Sequence, residues 1–549
     1  MVKPDKIDNL QFNPELPAEE EKLSTTVRLS EVFTAGVRLE ASNFNIETRN
    51  AIAELQTSGL DLITLCGEDG LCQKPNKPFR LKRTSVSPEE GIPFISSSEI
   101  ISLKPEAGRY LSRKLTANPE KFTIEMWDVL ISRSGTIGNV ALATKTLAGK
   151  ALSEDAIRLR SEDADTAGYI TAFLRSRYGR LQLTQATYGS VVVHIEPEHL
   201  ERVLIPDLPP IRKIAIGRLM CEAGEHRDEA NRLLDEADRL LHERLNLPYL
   251  NTLQSDTEGY TRTTVKASQL AGRLEASYHN PLALLAEQQL QKLPVEITTV
   301  GDERVTKEVR AITKFRKRVY VEHGGIPMLS SKQLFQIAPI GIKKLAKGAH
   351  TKDLPEIQLE TNMICVTRSG TIGRVQIIPA YMSKWTASED AIRLVPEINP
   401  GYLYTWLASD YGNCLLMRQL YGSVIVHIDR DMLASVSIPL PNTIIINDIG
   451  DLVLKANQLR DKAWNKEQEA ISQLENLIKK GKTTQDTIEI NREKQMDNDF
   501  KFDPKARPIW ELAAEISAQI PDSEWAKVPT DLSKNFDKYQ TKTATEDGE

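Results

Sequence analysis

Two long segments of the chain place apolar residues at alternating three- and four-residue steps, which is the spacing of a helix that buries one face. The stripe of the first segment consists of Ala230, Leu234, Ala237, Leu241 and Arg244, and it is widened by Leu233 and Leu240. The stripe of the second segment consists of Ile449, Leu452, Ala456, Leu459 and Ala463, and it resumes weakly at Ala470, Leu474 and Leu477. This periodicity predicts two long helices that pair as a coiled coil. Two unrelated amphipathic helices, each packed on its own domain, are the alternative.

Both predicted helices end at residues that stop a helix. Asn246-Leu247-Pro248 follows the first stripe, and proline cannot continue a helix. Gly481 follows the second stripe, and glycine is common just past a helix end.

The regions before the helices combine short β-rich runs with short helical patterns. Residues 128–132 and 363–367 are apolar runs that lead into a glycine turn, as strands often do. Residues 168–174 and 401–407 have the pattern of helix starts. Each region is therefore predicted to be an α+β domain.

The two halves of the chain repeat each other with a period of about 234 residues, too long for a solenoid unit. The matched segments, in the same order in both halves, are 38–42 with 273–277, 91–97 with 325–331, 130–138 with 365–373, 153–159 with 388–394, and 188–195 with 421–428. Each copy closes on Ile-Pro, at Ile205-Pro206 and at Ile438-Pro439. The repetition indicates a duplicated domain, and a long helix at the same place in each copy favours pairing of the two helices.

Composition is ordinary for a globular protein, with 40% hydrophobic and 27% charged residues and a net charge of −6 among 549 residues. No apolar run approaches the ~20 residues of a membrane span, and the polar N-terminus lacks the apolar core of a signal peptide. The five cysteines are scattered, which favours a reducing compartment, so a cytoplasmic protein is expected. Cys66 and Cys72, the only close pair, lack zinc-site spacing, so no metal site is expected.

Three of the repeated motifs together resemble the specificity subunit of type I restriction-modification systems. They are Arg-Leu-Glu-Ala at 38–41 and 273–276, the Arg-Ser-Gly-Thr-Ile-Gly turns at 133–138 and 368–373, and Tyr-Gly-Ser-x-x-x-His-Ile at 188–195 and 421–428. The resemblance covers roughly residues 24–480 in both copies. It implies two target-recognition domains, each reading a short half-site in the major groove of double-stranded DNA, with the paired helices as an antiparallel spacer.

The resemblance also implies partners that carry the chemistry. Two methyltransferase subunits dock on the helices and methylate adenine with S-adenosylmethionine, and two endonuclease/translocase subunits that use ATP and Mg join the full complex. The chain itself is then a non-catalytic subunit without a cofactor or a metal. Leu234, Leu241, Leu452 and Leu459 on the helices are the candidate partner-binding residues.

The predicted layout follows from the repeats and the resemblance. It comprises an acidic tail at 1–23, target-recognition domain 1 at 24–208, spacer helix 1 at 209–248, target-recognition domain 2 at 249–441, spacer helix 2 at 442–480, a linker at 481–505 and a small helical appendage of unknown role at 506–549. One departure from the family concerns the helix starts, where a Glu-Gln pair is absent after residues 206–210 and 439–442. This departure puts partner docking at the helix starts in question.

The duplication separates two classes of candidate DNA contact. If the copies read different half-sites, as an asymmetric bipartite target requires, residues identical in both copies build the scaffold or grip phosphate, and variable ones read base edges. Basic residues precede the Gly-Ile-Pro run in each copy. They are Arg80, Lys82 and Arg83, matched with Lys314, Arg316 and Lys317, and extended in the second copy by Lys343, Lys344 and Lys347. A solvated strand face is the alternative.

The Arg-Ser-Gly-Thr turns offer a guanidinium, hydroxyls and backbone amides suited to phosphate oxygens. The residues concerned are Arg133, Ser134 and Thr136 in the first copy and Arg368, Ser369 and Thr371 in the second. The alternative is a tight structural turn with Arg133 salt-bridged, for example to Asp155. The Arg-Ser-Gly-Thr turn is not a Walker A loop, because no Gly-Lys-Ser/Thr follows it.

The Tyr-Gly-Ser runs are the remaining DNA candidates. They contribute Tyr188 and Ser190, with Tyr421 and Ser423, whereas the histidines among valines are more typical of a core. Three rival functions stay open. They are an enzyme based on Asn246–Tyr249 or on residues 521–527, a protein-interaction scaffold, and a DNA-recognition subunit of a methylation-only or other phage-defence complex. Neither enzyme-like motif is duplicated, so neither explains the architecture.

Overall fold

The computed structural model describes most of the region that contains the repeats. The described residues are 44–481 except for 79, 81–82, 117, 135–136, 186–193, 254–263, 268–269, 271, 312–317 and 423–425. The predicted acidic tail at 1–23, the first Arg-Leu-Glu-Ala motif, the linker beyond Gly481 and the appendage at 506–549 lie outside these residues.

The first repeat mixes helices and short strands. Its helices are α1 (Ile46–Thr57), α2 (Ala164–Arg175), α3 (Arg177–Gln185) and α4 (Pro197–Leu200), followed by the long helix α5 (Pro210–Leu245). Its strands are β1 (Leu62–Thr64), β2 (Gly91–Ile95), β3 (Arg109–Ser112), β4 (Val129–Ser132), β5 (Val140–Leu142), β6 (Ala151–Leu152), β7 (Ala156–Leu159) and β8 (Leu204–Pro206). A 3₁₀ turn spans Pro119–Lys121.

The second repeat has the same kinds of element. Its helices are α6 (Leu250–Leu253), α7 (Pro281–Leu290), α8 (Leu354–Ile357), α9 (Pro400–Ala408), α10 (Asp410–Met417) and α11 (Arg430–Ala434), followed by the long helix α12 (Thr443–Lys480). Its strands are β9 (Glu296–Thr299), β10 (Thr306–Arg310), β11 (Ile326–Leu329), β12 (Lys343–Leu345), β13 (Ile364–Thr367), β14 (Val375–Ile377), β15 (Thr386–Ala387), β16 (Ala391–Pro396) and β17 (Ser437–Leu440). 3₁₀ turns span Gln333–Phe335, Gly348–His350 and Ala380–Met382.

The strands pair in the same way in both repeats. The orders β3-β2-β6 and β5-β4-β7 of the first repeat correspond to β12-β11-β15 and β14-β13-β16-β10 of the second. In each repeat the Gly-Ile-Pro strand is antiparallel to one neighbour and parallel to the other, and the β1–β8 pair corresponds to β9–β17. All four residues of β4 and of β13 are buried, because helices and loops cover both faces of the strand.

The long helices begin and end close to the predicted positions. Pro209 and Pro210 start α5, and Asn442 caps α12 through a hydrogen bond of 3.0 Å from the Ile445 amide to its side-chain oxygen. Asn246 ends α5 in the left-handed conformation at φ 52°, and Gly481 ends α12 at φ 69°.

Each long helix packs on its own repeat through a pair of facing glycines. Gly168 of α2 faces Gly217 of α5, and Gly401 of α9 faces Gly450 of α12. A methyl group on Gly168 or on Gly401 would overlap the backbone of the opposing glycine, so only glycine permits this approach. The predicted helix starts at residues 168–174 and 401–407 fall within α2, which begins four residues earlier at Ala164, and at the start of α9, which begins one residue earlier at Pro400.

The two long helices also lie against each other in antiparallel orientation. Ion pairs join Lys466 to Glu222 at 2.7 Å and Arg244 to Asp448 at 3.1 Å. The far end of each helix then enters the core of the other repeat. Leu234 and Leu241 of α5 pack with Trp406 of the second repeat, while the end of α12 packs with the core of the first. Each long helix thus contacts the other helix and also packs on its own repeat.

A buried carboxylate lies where the two helices meet the first repeat. Glu467 of α12 accepts hydrogen bonds from Arg175 of α2 and from Arg227 of α5, the latter at 2.7 Å. Its side chain is almost fully buried, so the two guanidiniums provide the charge compensation that water cannot.

The described part of the chain contains no helix that is both long and apolar enough to span a bilayer. Cys66 and Cys72 are buried side by side, with their sulfur atoms 2.6 Å apart, and the hydrogen bond between the two side chains and burial both raise the pKa of Cys66.

Candidate nucleic-acid interface

The Arg-Ser turns are tied to the Ser-Glu-Asp turns in both repeats. The Ser134 hydroxyl donates to the Asp155 carboxylate at 2.9 Å, and the Arg133 amide donates to the Asp155 backbone oxygen at 2.9 Å. Ser369 and Arg368 make the same two bonds to Asp390. In the structure these serine hydroxyls hold the turn, and the phosphate contacts expected of the two serines stay a prediction.

The two turn arginines also contact protein groups. The Arg133 guanidinium forms an ion pair with Glu196 and lies 4.0 Å from Asp155, as the structural-turn alternative requires. The Arg368 Nε donates to the Ile428 backbone oxygen at 3.2 Å. Thr371 lines a cleft between the two repeats, and Thr136 lies outside the described residues.

The basic loops before the Gly-Ile-Pro strands are described only in part. Arg80 is exposed, whereas Lys82, Lys314, Arg316 and Lys317 lie outside the described residues. Arg83 forms an ion pair of 2.5 Å with Glu154 and lies over the Phe94 ring at 4.8 Å.

The residue of the second repeat that corresponds in position to Arg83 is Arg318. Arg318 forms an ion pair with Glu389, which occupies the place of Glu154 in the second Ser-Glu-Asp turn. The sequence match of Arg83 with Lys317 was therefore wrong by one residue. Since the Glu contact recurs in both copies, these two arginines are positioned in the same way.

The Tyr-Gly-Ser run is described in the second repeat at Tyr421. Its side chain is exposed, and its backbone exchanges two hydrogen bonds with His427, at 3.1 and 2.9 Å. Tyr188, Ser190 and Ser423 lie outside the described residues.

A concave surface of the second repeat brings together residues that are far apart in sequence. We call it face 2, and it comprises Arg318, Tyr320, Ser330, Lys332 and Lys343. The Lys343 ammonium lies 5.1 Å from the centre of the exposed Tyr320 ring. Cations interleaved with an exposed aromatic ring are typical of surfaces that bind nucleic acid.

Strand register identifies the positions of the first repeat that correspond to face 2, and we call this set face 1. Strand register matches Arg109 to Lys343, since Phe94 faces Arg109 and Met328 faces Lys343. The bridges Ser85–Leu111 and Tyr320–Leu345 match Ser85 to Tyr320. Face 1 therefore comprises Arg83, Ser85, Ser96, Ser98 and Arg109.

Comparison of the faces divides them into shared and variable positions. Arg83 and Arg318 are shared, and so is the cation at Arg109 or Lys343. The variable positions are Ser85 against Tyr320 and Ser98 against Lys332. Sequence reasoning missed Arg109. The signal that could have found it is that Arg109 of β3 and Lys343 of β12 are basic residues at the same register opposite the Gly-Ile-Pro strand.

The helix leucines proposed as partner contacts belong to the internal core. Leu234 and Leu241 are buried, and Leu452 and Leu459 are half-buried against the same cluster. The burial of Leu234 and Leu241 removes them as partner contacts, whereas contacts through the half-buried Leu452 and Leu459 stay a prediction.

Exposed apolar side chains occur instead at the helix starts. Ile211 in the first turn of α5 is 59% exposed, and Ile444 at the equivalent place in α12 is 71% exposed. These are the positions at which the Glu-Gln pair is absent.

The enzyme-like motif at Asn246–Tyr249 is part of a helix cap. Asn246 ends α5, and the Tyr249 ring stacks on His242 at 3.8 Å between centroids. Residues 521–527 lie outside the described residues. In the described part of the chain no group of three or more His, Cys, Asp or Glu side chains is arranged to hold a metal ion.

Comparison with known proteins identifies one family and several structures. Residues 307–451 match the model of the type I restriction modification DNA specificity domain. The S subunit of a type I restriction-modification system from M. genitalium is 14% identical over 77% of this chain and 96% of that chain, with a TM-score of 0.32. An HsdS subunit from Thermoanaerobacter tengcongensis is 16% identical over 77% of this chain and 95% of that chain, with a TM-score of 0.24. At these TM-scores neither likeness bears on function. No curated protein sequence matches the chain significantly.

Proposed function

The chain carries a type I restriction modification DNA specificity domain over residues 307–451, and from this premise we propose that it is the DNA-recognition subunit of a type I restriction-modification complex. Face 2 lies within that domain, and face 1 is its equivalent in the first repeat. The observation that carries the proposal is the concave face 2, whose positions correspond in the first repeat to residues with shared cations and different neighbours.

The two faces suit a bipartite target with unlike halves. Arg109 and Lys343 occupy the same register of equivalent strands. They bind phosphate, because a phosphate contact needs a cation whatever the base sequence. Ser85 or Tyr320 and Ser98 or Lys332 differ in size and in hydrogen-bonding groups, so they read base edges. Because the variable groups differ at each place, the half-sites differ in sequence.

The proposed partners supply the chemistry. Two methyltransferase subunits bring S-adenosylmethionine, and endonuclease subunits bring ATP and Mg. Docking at the helix starts is supported by Ile211 and Ile444, since a large exposed apolar side chain at the same place in both copies fits two identical contacts. A methylation-only or other phage-defence complex would use the same faces with other partners, whereas an interaction scaffold would not need their cations.

The salt dependence of duplex binding tests the role of face 2. Lys343→Ala should weaken binding to all duplexes alike and lower the slope of log affinity against log salt by about 0.9, the value for one phosphate contact. Lys332→Ala should instead change the preferred bases in one half-site and leave the other half-site unchanged.

Lys292→Ala is the matched control, because Lys292 is an exposed lysine beyond the end of α7 and away from both faces. Filter binding at four salt concentrations and selection from random duplexes provide the measurements. Salt-independent binding, or no binding by the wild-type chain alone or with a methyltransferase, would refute DNA recognition and favour the scaffold.

A further inference from the structure

The two repeats contact each other directly, apart from the long helices. The Leu103 amide donates to the Phe335 oxygen at 2.7 Å, and the Ile337 amide donates to the Ile101 oxygen at 2.8 Å. Between these bonds, Ser102 faces Gln336 as an antiparallel bridge. We call residues 101–103 and 335–337 the inter-repeat bridge.

The inter-repeat bridge joins equivalent positions of the two copies. Residues 101, 102 and 103 of the first repeat correspond to 335, 336 and 337 of the second, by the register that matches Ile92 to Ile326. Residue 103 therefore bonds the equivalent of residue 101, and the reverse bond is also made. This reciprocity is the property of an isologous contact across a two-fold axis, here within one chain.

Side chains reinforce the backbone bonds of the bridge. Ile337 is 7% exposed and belongs to the apolar core of the first repeat, where it packs with Ile101 and Leu103. On the other side, the Arg374 guanidinium lies 4.0 Å from the centre of the Phe335 ring. The contact therefore buries apolar surface in addition to satisfying two amides.

Charges across the cleft beside the bridge are complementary. Arg374 of the second repeat and the carboxylates of Glu99 and Glu106 of the first line the same cleft. Burial lowers the pKa of Arg374, and Glu106 and Glu99 act against that shift. The opposite charges of the two repeats therefore attract each other across the cleft.

Two separate attachments restrict the relative motion of the repeats more than one does. The helix pair already joins the repeats through both cores, and the inter-repeat bridge adds a second attachment that opposes rotation of one repeat against the other. One base pair added between half-sites rotates one of them by about 34° and shifts it by about 3.4 Å. A rigid pair of faces therefore tolerates one gap only.

We infer that the inter-repeat bridge, together with the helices, sets the length of the gap between the two half-sites. This inference rests on the proposed function. It assigns spacing to Ile101–Leu103 and Phe335–Ile337, of which Gln336 also lines the concavity of face 2.

A cross-link tests whether the bridge persists on DNA. Ser102 and Gln336 form a non-hydrogen-bonded antiparallel pair, whose Cα separation of about 4.5 Å suits a disulfide. The Ser102→Cys/Gln336→Cys chain should cross-link on mild oxidation, unlike either single variant, and should bind the duplex selected by the wild type within about threefold of the reduced form. Loss of binding on cross-linking, restored by reduction, would mean that the repeats separate on DNA and would overturn the inference.

A series of duplexes with altered gaps tests the consequence. Wild-type protein should bind the gaps one base pair shorter or longer at least about tenfold more weakly than its preferred gap, because the faces cannot follow the rotation. Ile337→Asp, which places a charge in the first-repeat core, should reduce this discrimination to about threefold and keep the preferred bases. Ile337→Ala provides a milder disruption if the charged variant is poorly folded by circular dichroism.

The outcomes separate the inference from the proposed function. A folded Ile337 variant with unchanged gap preference would overturn the inference and leave DNA recognition intact. Absence of any selected duplex for the wild type would overturn the proposed function itself.

Discussion

At the scale of single residues, Glu467 is the charge on which three elements depend. It belongs to α12, and its partners Arg175 and Arg227 belong to α2 and α5. Burial raises the pKa of Glu467, but the two guanidiniums outweigh burial and hold that pKa below its ordinary value. The carboxylate is therefore ionised in the folded protein and joins the helix pair to the first repeat.

Glu467→Gln should destabilise the fold by about 3–5 kcal/mol at pH 7, because it leaves two buried arginines without a counter-charge. A carboxyl group with a depressed folded pKa stabilises above its unfolded value of 4.5 and loses that contribution as the pH falls through its folded pKa. The difference between wild type and variant should therefore shrink below about pH 4.5 in urea titrations.

Glu469→Gln is the control, since Glu469 is exposed on the same helix and should change stability by less than about 0.5 kcal/mol. Equal effects of the two substitutions at pH 7 would contradict a special role for Glu467.

At the scale of elements, each long helix links both repeats. It crosses its own repeat at a glycine pair and then enters the core of the other repeat. The two crossings differ in what surrounds the helix glycine. A methyl group on Gly217 would overlap the backbone oxygen of Asp165, whereas one on Gly450 would meet the side chain of Asn399.

Gly217→Ala should cost about 3 kcal/mol or more of unfolding free energy, because backbone has to move to admit the methyl group. Gly450→Ala should cost less, since Asn399 can rotate and give up its cap, a loss of about 1 kcal/mol. Gly348→Ala, at a position with open space around it, is the control for denaturation measurements. Equal costs at Gly217 and Gly348 would contradict the close crossing.

At the scale of the whole molecule, the two repeats of the chain are equivalent in fold and contact each other like the two subunits of a dimer. The strand orders, the glycine crossings and the reciprocal bonds of the inter-repeat bridge recur between the copies. Under the proposed function, such an arrangement would offer two equivalent sites to partners, one at each helix start.

Ile211→Asp and Ile444→Asp should each remove one methyltransferase from a complex that contains two, and the double variant should remove both. The reason is that each isoleucine is expected to bury its own apolar contact with one methyltransferase. Mass measurement of the co-purified complex by light scattering checks the stoichiometry. Leu115→Asp is the control, since Leu115 is 69% exposed and lies outside the long helices. Retention of both partners by the double variant would place docking elsewhere.

Sequence alone determined the features that depend on neighbouring residues. The repeat, the two long helices and their ends at Asn246 and Gly481 were all predicted, because periodicity, proline and glycine act through local backbone stereochemistry. The turn that contains Arg133 was also anticipated as a salt-bridged alternative.

Only the tertiary structure decided which distant residues meet. Glu196 as the partner of Arg133, Arg318 as the counterpart of Arg83, and the crossing of each helix into the other repeat depend on packing between segments far apart in sequence. Strand pairing gathered Arg318 and Lys343 into face 2, and the same register revealed Arg109. Hydrophobic periodicity shows that a face is buried, but the surface that covers it is determined when the whole chain packs.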